Sequence, residues 1–175
     1  MEMMILVAYD SKHGATRDIA RRIARGLRLA GHHAEARPVL AVGDPAGYDA
    51  VVIGSACYAS HWLRDACEFV WRHHKVLARR PVWLFSSGPL GADAGGHDRR
   101  SAAVPVEIAD FTPDIHPRGH EVFSGALDPR RLTLAERWLR MLPRSRALLP
   151  AGDFRDWGRI DAWAAGIARE LAAAA

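Results

Sequence analysis

Cysteine is scarce in this chain. Cys57 and Cys67 are the only two among 175 residues, too few for a disulfide scaffold and not spaced as a Cys-x-x-Cys redox pair. No apolar run approaches the ~18 residues that a membrane-spanning helix needs. The opening stretch 1–8 is apolar but short. It lacks the basic start and small-residue cleavage site of a secretory signal, so a cytoplasmic location is expected. Lysine is nearly missing: Lys12 and Lys75 stand alone among 24 basic residues, and arginine supplies the rest. The net charge of +4 is dispersed rather than blocked. It points weakly to anionic ligands and, with no recognisable motif, not to nucleic acid. Internal repeats, a Gly-x-Gly-x-x-Gly loop, a Gly-Lys-Ser/Thr phosphate loop and a Gly-x-Ser-x-Gly nucleophile elbow are all absent. Nine histidines invite a metal. Yet His32-His33 and His73-His74 are adjacent pairs that point in different directions, and Pro117 and Gly119 keep His116 and His120 off a common helix. No metal site is expected.

What is present is the composition of a globular protein, 49% hydrophobic and 25% charged, with apolar material for one core and one domain over 1–175. Continuous apolar runs at 3–9, 50–53 and 82–85 are apolar on both faces, as central strands of a parallel sheet are. The segment 33–38 reads as a weaker edge strand and 121–125 as a late one. Between them run helical stripes: Ile19, Ala20, Ile23, Leu27 and Ala30, stopped by Gly31; Leu63, Ala66, Cys67, Val70 and Leu77, stopped by Pro81; and Trp157, Ile160, Ala164, Ile167, Ala168 and Leu171, capped by Asp153 or Asp156. A further helix is expected over 132–142. Alternation of this kind predicts βαβ units. From Gly91 to Gly119 no element is evident, and a link of that length is either functional or without order.

In an open parallel sheet, ligands sit beyond the carboxyl ends of the strands. Three loops emerge there. The first, Ser11-Lys12-His13-Gly14-Ala15-Thr16, places small residues and hydroxyls at a helix N-terminus, where exposed N–H groups and the helix dipole suit a phosphate. The same residues also suit a plain capped turn, and residue types alone leave both readings open. The second, Ser55-Ala56-Cys57-Tyr58-Ala59-Ser60-His61-Trp62, carries two aromatics able to stack on a flat heterocycle; Trp62 serves equally as a hydrophobic staple, and Cys57 as a small buried thiol. His61 and Arg64 offer positive charge nearby, although Arg64 is also an ordinary solvated first-turn residue. In the third, Ser86-Ser87-Gly88-Pro89-Leu90-Gly91, small residues let backbone amides face a ligand, or simply make a tight turn. Cys67 lies on a helix stripe and reads as core.

The first loop, Ser11-x-His13-Gly14-x-Thr16 after an apolar strand, resembles the phosphate loop of flavodoxins. With Val51–Ala56, Phe123–Leu127 and Asp153-Phe154-Arg155-Asp156-Trp157, the chain is similar to the menaquinone-dependent protoporphyrinogen oxidase group. The resemblance implies a flavodoxin-like three-layer α/β fold. Its five-stranded parallel sheet would have the order 2-1-3-4-5, with a long insertion, 91–119, after strand 4. It implies noncovalent FMN on the three loops, with the flavin carrying the chemistry and no catalytic side chain required. The expected partners are a reduced organic substrate and a quinone or a redox protein. Alternatives are a flavodoxin-type electron carrier, against which the basic charge counts, and an interaction protein that has lost flavin. Two departures stand out: His13 replaces a usual hydroxyl residue, and the third loop has no aromatic. The insertion carries His97, Arg99, Arg100, His116 and Arg118 among apolar residues, a composition suited to an amphipathic substrate and equally to a solvated loop or an oligomer contact. The stretch 130–146 mixes arginines with Trp138, Leu139, Met141 and Leu142, as a helix packed on the sheet or touching an anionic membrane surface does.

Overall fold

The computed structural model describes residues 1–58, 60–88, 104–128, 130 and 152–174. Ala59 of the second loop, Pro89, Leu90 and Gly91 of the third, residues 92–103 of the insertion, the helix expected over 132–142 and the basic–apolar stripe at 131–146 lie outside the described residues.

Strands β1 (Met4–Asp10), β2 (His33–Pro38), β3 (Ala50–Tyr58), β5 (Val82–Ser87) and β6 (Gly119–Phe123) form a parallel sheet in the order β2-β1-β3-β5-β6. A two-residue strand, β4 (His61–Trp62), folds back antiparallel on the end of β3. Among the parallel strands the order is therefore the expected 2-1-3-4-5. Helices α1 (Ala15–Leu29) and α4 (Trp157–Ala173) cover one face; α2 (Arg64–Leu77) and α3 (Val106–Ile115) cover the other. Among the described residues no helix is long and apolar enough to cross a membrane.

The continuous apolar runs follow from this sandwich. Successive side chains of a strand point to opposite faces, and both faces are covered. Ile5, Val7, Val52, Trp83 and Phe85 pack beneath α1 and α4, while Leu6, Val51, Ile53, Val82 and Leu84 pack beneath α2 and α3. Each fully buried aliphatic of this kind contributes about 1.5–3 kcal/mol relative to exposure. Helix α1 buries Ile19, Ala20, Ile23, Ala24 and Leu27 and stops at Gly31; Ala30, expected on the buried face, is instead the exposed C-cap. Helix α4 is capped by Asp156, whose Oδ1 accepts from the Arg159 N–H at 2.9 Å.

Two elements depart from what the sequence pattern predicts. Strand β3 continues from Ile53 to Tyr58, through residues whose composition suggests a loop, because Ser55 and Ala56 pair with Ser86 and Ser87 of β5 in parallel register. Loss of apolarity at Gly54 and Ser55 ends the sequence pattern but not the ladder. Helix α3 lies within the segment in which no element is evident from sequence. It buries Ile108, Phe111 and Ile115, an i, i+3, i+7 set that Pro113 obscures. Pro113 has no N–H to give Ala109, and the helix ends three residues later at His116 in left-handed geometry. A small antiparallel pair, β7 (Ala126–Leu127) with β8 (Gly152–Asp153), completes the described structure.

Candidate cofactor site

Strand β1 ends at Asp10, and the chain turns at once into α1. Ser11 Oγ accepts the Gly14 N–H at 3.0 Å, tightening the turn. Gly14 takes φ +89, a left-handed conformation that glycine adopts without penalty. The first helical bond runs from Asp18 N–H to Gly14 C=O at 3.1 Å. The amides of Ala15, Thr16 and Arg17 therefore have no helical carbonyl to satisfy them, and no side chain among the described residues caps the helix. The Thr16 hydroxyl is buried, with the residue 1% exposed, and has no partner among the described residues. Such a group costs about 1–3 kcal/mol when left unpaired. Tyr9, Ser11, Lys12, His13, Gly14 and Arg17 line a pocket of about 450 Å³ over this turn. Lys12 and Arg17 stand on its wall, and the positive end of the helix dipole lies at the turn.

Acidic groups near the turn are offset. Asp18 lies 3.1 Å from Arg17 Nε and 3.4 Å from Arg155. Arg155 comes from the end of the chain, forked onto Asp153 at 2.7 and 2.6 Å and stacked on Trp157 at 4.5 Å. Its guanidinium holds the Asp153 carboxyl below its ordinary value. Burial, and then the charge of Asp65, push Asp10 upward.

The second loop is a hairpin. Cys57 faces Trp62 and Tyr58 faces His61. Ser60 at the turn has φ +64, a conformation that costs an ordinary residue about 1–2 kcal/mol. Tyr58 is 41% exposed, with Lys12 Nζ at 5.7 Å from its ring centroid. Trp62 is turned the other way. It is 5% exposed, packs on Phe111 at 5.6 Å between centroids, and donates its indole N–H to Ser86 Oγ at 2.8 Å. The stacking expected of Trp62 is corrected by this geometry: alternation along the hairpin puts Tyr58 at the surface and Trp62 in the core.

Two hydroxyls expected as ligand groups are likewise spent inside the fold. Ser55 Oγ accepts from Leu63 N–H and donates to Ala56 C=O, both at 2.9 Å. Ser86 Oγ lies 2.8 Å from His120 Nε2. Ser86 also accepts the Trp62 indole N–H, and burial lowers the His120 pKa to about 4 and keeps its ring neutral at neutral pH. Ser87 is buried, and the Gly88 N–H bonds Phe123 C=O at 2.9 Å.

Cys57 is half-buried; burial first, and then Glu107, push its thiol up. Burial and the same carboxylate push Cys67 up to about 11. Neither is a thiolate at neutral pH. Arg64 is solvated, 87% exposed and paired with Glu68 at 2.6 Å. The first loop and Tyr58 thus meet at the carboxyl edge, beside Tyr9 and Arg17, which no motif in the sequence singles out. Glu107 escapes the sequence pattern too, because its helix does.

Comparison with known proteins decides the family. The sequence model described as "Flavodoxin domain" matches residues 6–143. The chain belongs to the flavodoxin domain family. Members of this fold family bind FMN. The chain is 31% identical over 86 residues to protoporphyrinogen IX dehydrogenase [quinone] of Escherichia coli K12, a match covering 48% of each protein. It therefore spans about half the length of that relative. In fold, this flavodoxin-family chain resembles the Streptococcus pneumoniae TIGR4 flavodoxin (TM-score 0.57, 14% identity, 98% of this chain and 99% of that one). It also resembles the rubredoxin oxygen:oxidoreductase of Desulfovibrio gigas (TM-score 0.60, 14% identity, 97% of this chain and 36% of that one). The cradle fits an FMN phosphate on its own geometry: a buried hydroxyl without a partner among the described residues, a helix N-terminus whose first amides have no helical carbonyl, and Lys12 and Arg17 on the pocket wall.

Proposed function

We propose that this chain binds FMN at the carboxyl edge of its sheet and works as an oxidoreductase resembling the protoporphyrinogen oxidases, taking electrons from a reduced organic substrate and delivering them to a quinone. The observation that carries the FMN part is the buried Thr16 hydroxyl in the first turn of α1, without a partner among the described residues. A charged phosphate oxygen accepts from such a group more strongly than a neutral partner does. In this reading the amides of Ala15, Thr16 and Arg17, the Thr16 hydroxyl and the charges of Lys12 and Arg17 hold the phosphate. The Ser11–Gly14 bond fixes the shape of the turn, and His13 adds a ring where flavodoxins usually carry a hydroxyl. Tyr58 offers its face to the isoalloxazine, while Ala56, Cys57 and Gly88 bound its edge with backbone and small side chains. FMN supplies the reversible electron acceptance at its ring, so the chain's own task is to bind, orient and tune.

The specific reaction rests on the motif resemblance and on the match to the Escherichia coli dehydrogenase. A flavodoxin-type carrier is the second reading. The whole-length fold likeness to the pneumococcal flavodoxin favours it, and the +4 net charge opposes it, since carriers that dock basic partners are acidic. The test is to load the purified chain with FMN, record its visible spectrum and assay protoporphyrinogen oxidation with a menaquinone acceptor. Flavin absorbance with turnover supports the enzyme; flavin absorbance without turnover supports the carrier; no flavin bound removes both.

A further inference from the structure

Beyond the residues that would touch the cofactor, one group stands out by what it holds. The β3–β4 hairpin has only two residue pairs, Cys57 with Trp62 and Tyr58 with His61. Such a ribbon is not stable by itself. Its turn residue Ser60 sits at φ +64, a conformation that persists only where neighbouring structure enforces it. The enforcing structure is the start of α3. The Val106 N–H donates to Ser60 C=O at 3.1 Å. The next residue, Glu107, receives His61 Nδ1 at 2.8 Å on one carboxylate oxygen and the Trp62 N–H at 3.2 Å on the other. Its side chain is only 19% exposed, so these bonds are partly shielded from water.

We propose that Glu107 is a positioning residue for the flavin site: by clamping His61 and Trp62 it sets where Tyr58, directly across the hairpin from His61, presents its ring. The inference rests on the FMN reading above. Its geometric core is register. Residues directly opposite in an antiparallel pair share a face, so fixing His61 fixes Tyr58 through the register of the hairpin. The crossover helix thereby shapes a site to which it contributes no ligand group.

The experiment uses the full chain loaded with FMN and reads two quantities, the FMN dissociation constant and the fluorescence of the bound flavin, which a stacked phenol ring quenches. The variants are Glu107→Ala, Glu107→Gln, Tyr58→Ala and the double variant Tyr58→Ala with Glu107→Ala. Glu107→Ala is expected to weaken FMN about tenfold, ~1.4 kcal/mol, and to brighten the bound flavin, as Tyr58→Ala does. Glu107→Gln retains an acceptor for Trp62 N–H and an amide for His61, and is expected to stay within about twofold of wild type. In the Tyr58→Ala background, removing Glu107 is expected to cost nothing further, because the two act as one unit. A purely structural role would instead make the two losses multiply, and that result overturns the proposal. So does quenched, wild-type flavin in Glu107→Ala. If the wild-type chain binds no FMN, the cofactor reading itself fails, a result distinguishable from either of these.

Discussion

The indole N–H of Trp62 points to Ser86 Oγ, 2.8 Å away across the end of the sheet. That single bond withdraws both residues from the cofactor edge and ties the hairpin to strand β5. Trp62→Phe keeps a ring beside Phe111, removes the donor and leaves a small cavity where the rest of the indole stood. It is expected to cost about 1–3 kcal/mol of stability while leaving FMN affinity within about twofold. Urea unfolding and an FMN titration on the same preparation check the two halves.

His120 extends the same chain of bonds and makes acid sensitivity calculable. Its folded-state pKa of about 4 lies below the ordinary histidine value of 6.5, so between these pH values the unfolded chain binds a proton that the folded chain refuses. Stability therefore falls as pH falls through that window, by about 3 kcal/mol at most from this group, and no further below it. Comparing urea midpoints at pH 7 and pH 4.5 tests this. His120→Gln, which offers Ser86 an acceptor that does not titrate, is expected to remove this part of the slope.

The sandwich is legible in the strand and helix spacing of the sequence alone. The doubly apolar runs at 3–9, 50–53 and 82–85 demand cover on both faces, and the stripes of α1, α2 and α4 supply most of it. What stays hidden has physical causes. Pro113 masks the Ile108–Phe111–Ile115 stripe of α3. The extension of β3 is written in small residues: Ser55 and Ala56 pair with β5 and Cys57 with β4, and that pairing does not show in their own apolarity. At the site, residue types mark Ser11 to Thr16 as a turn at a helix start and leave open whether it holds a ligand. They do not reveal that Trp62 and Tyr58 face opposite ways, because that follows from a hairpin register set by contacts with α3.

The close approach of Gly54 to Phe85 gives a packing prediction. A Cβ at position 54 would overlap the Phe85 ring, which is itself fully buried and wedged against Phe123 and Trp163. Gly54→Ala is expected to cost about 3 kcal/mol, seen as a lower denaturation midpoint with or without FMN.

Thr16 carries a prediction with two signs. In the FMN-free chain its buried hydroxyl has no partner among the described residues, so the isosteric Thr16→Val is expected to leave that form as stable or to stabilise it by about 1 kcal/mol. With FMN added, the same change is expected to lower stability relative to wild type, since a bond to a charged oxygen is lost. Thermal unfolding with and without FMN reads both signs.

Recognition of the phosphate is isolated by comparing FMN with riboflavin, which has the same ring and lacks that group, in an equilibrium fluorescence titration of the wild-type chain and Thr16→Val. Wild type is expected to bind FMN at least about a hundredfold more tightly than riboflavin, ~2.7 kcal/mol. Thr16→Val is expected to remove much of that preference and to leave riboflavin binding unchanged. Equal affinity of the wild-type chain for the two flavins, or no affinity for either, would refute the cradle at the start of α1.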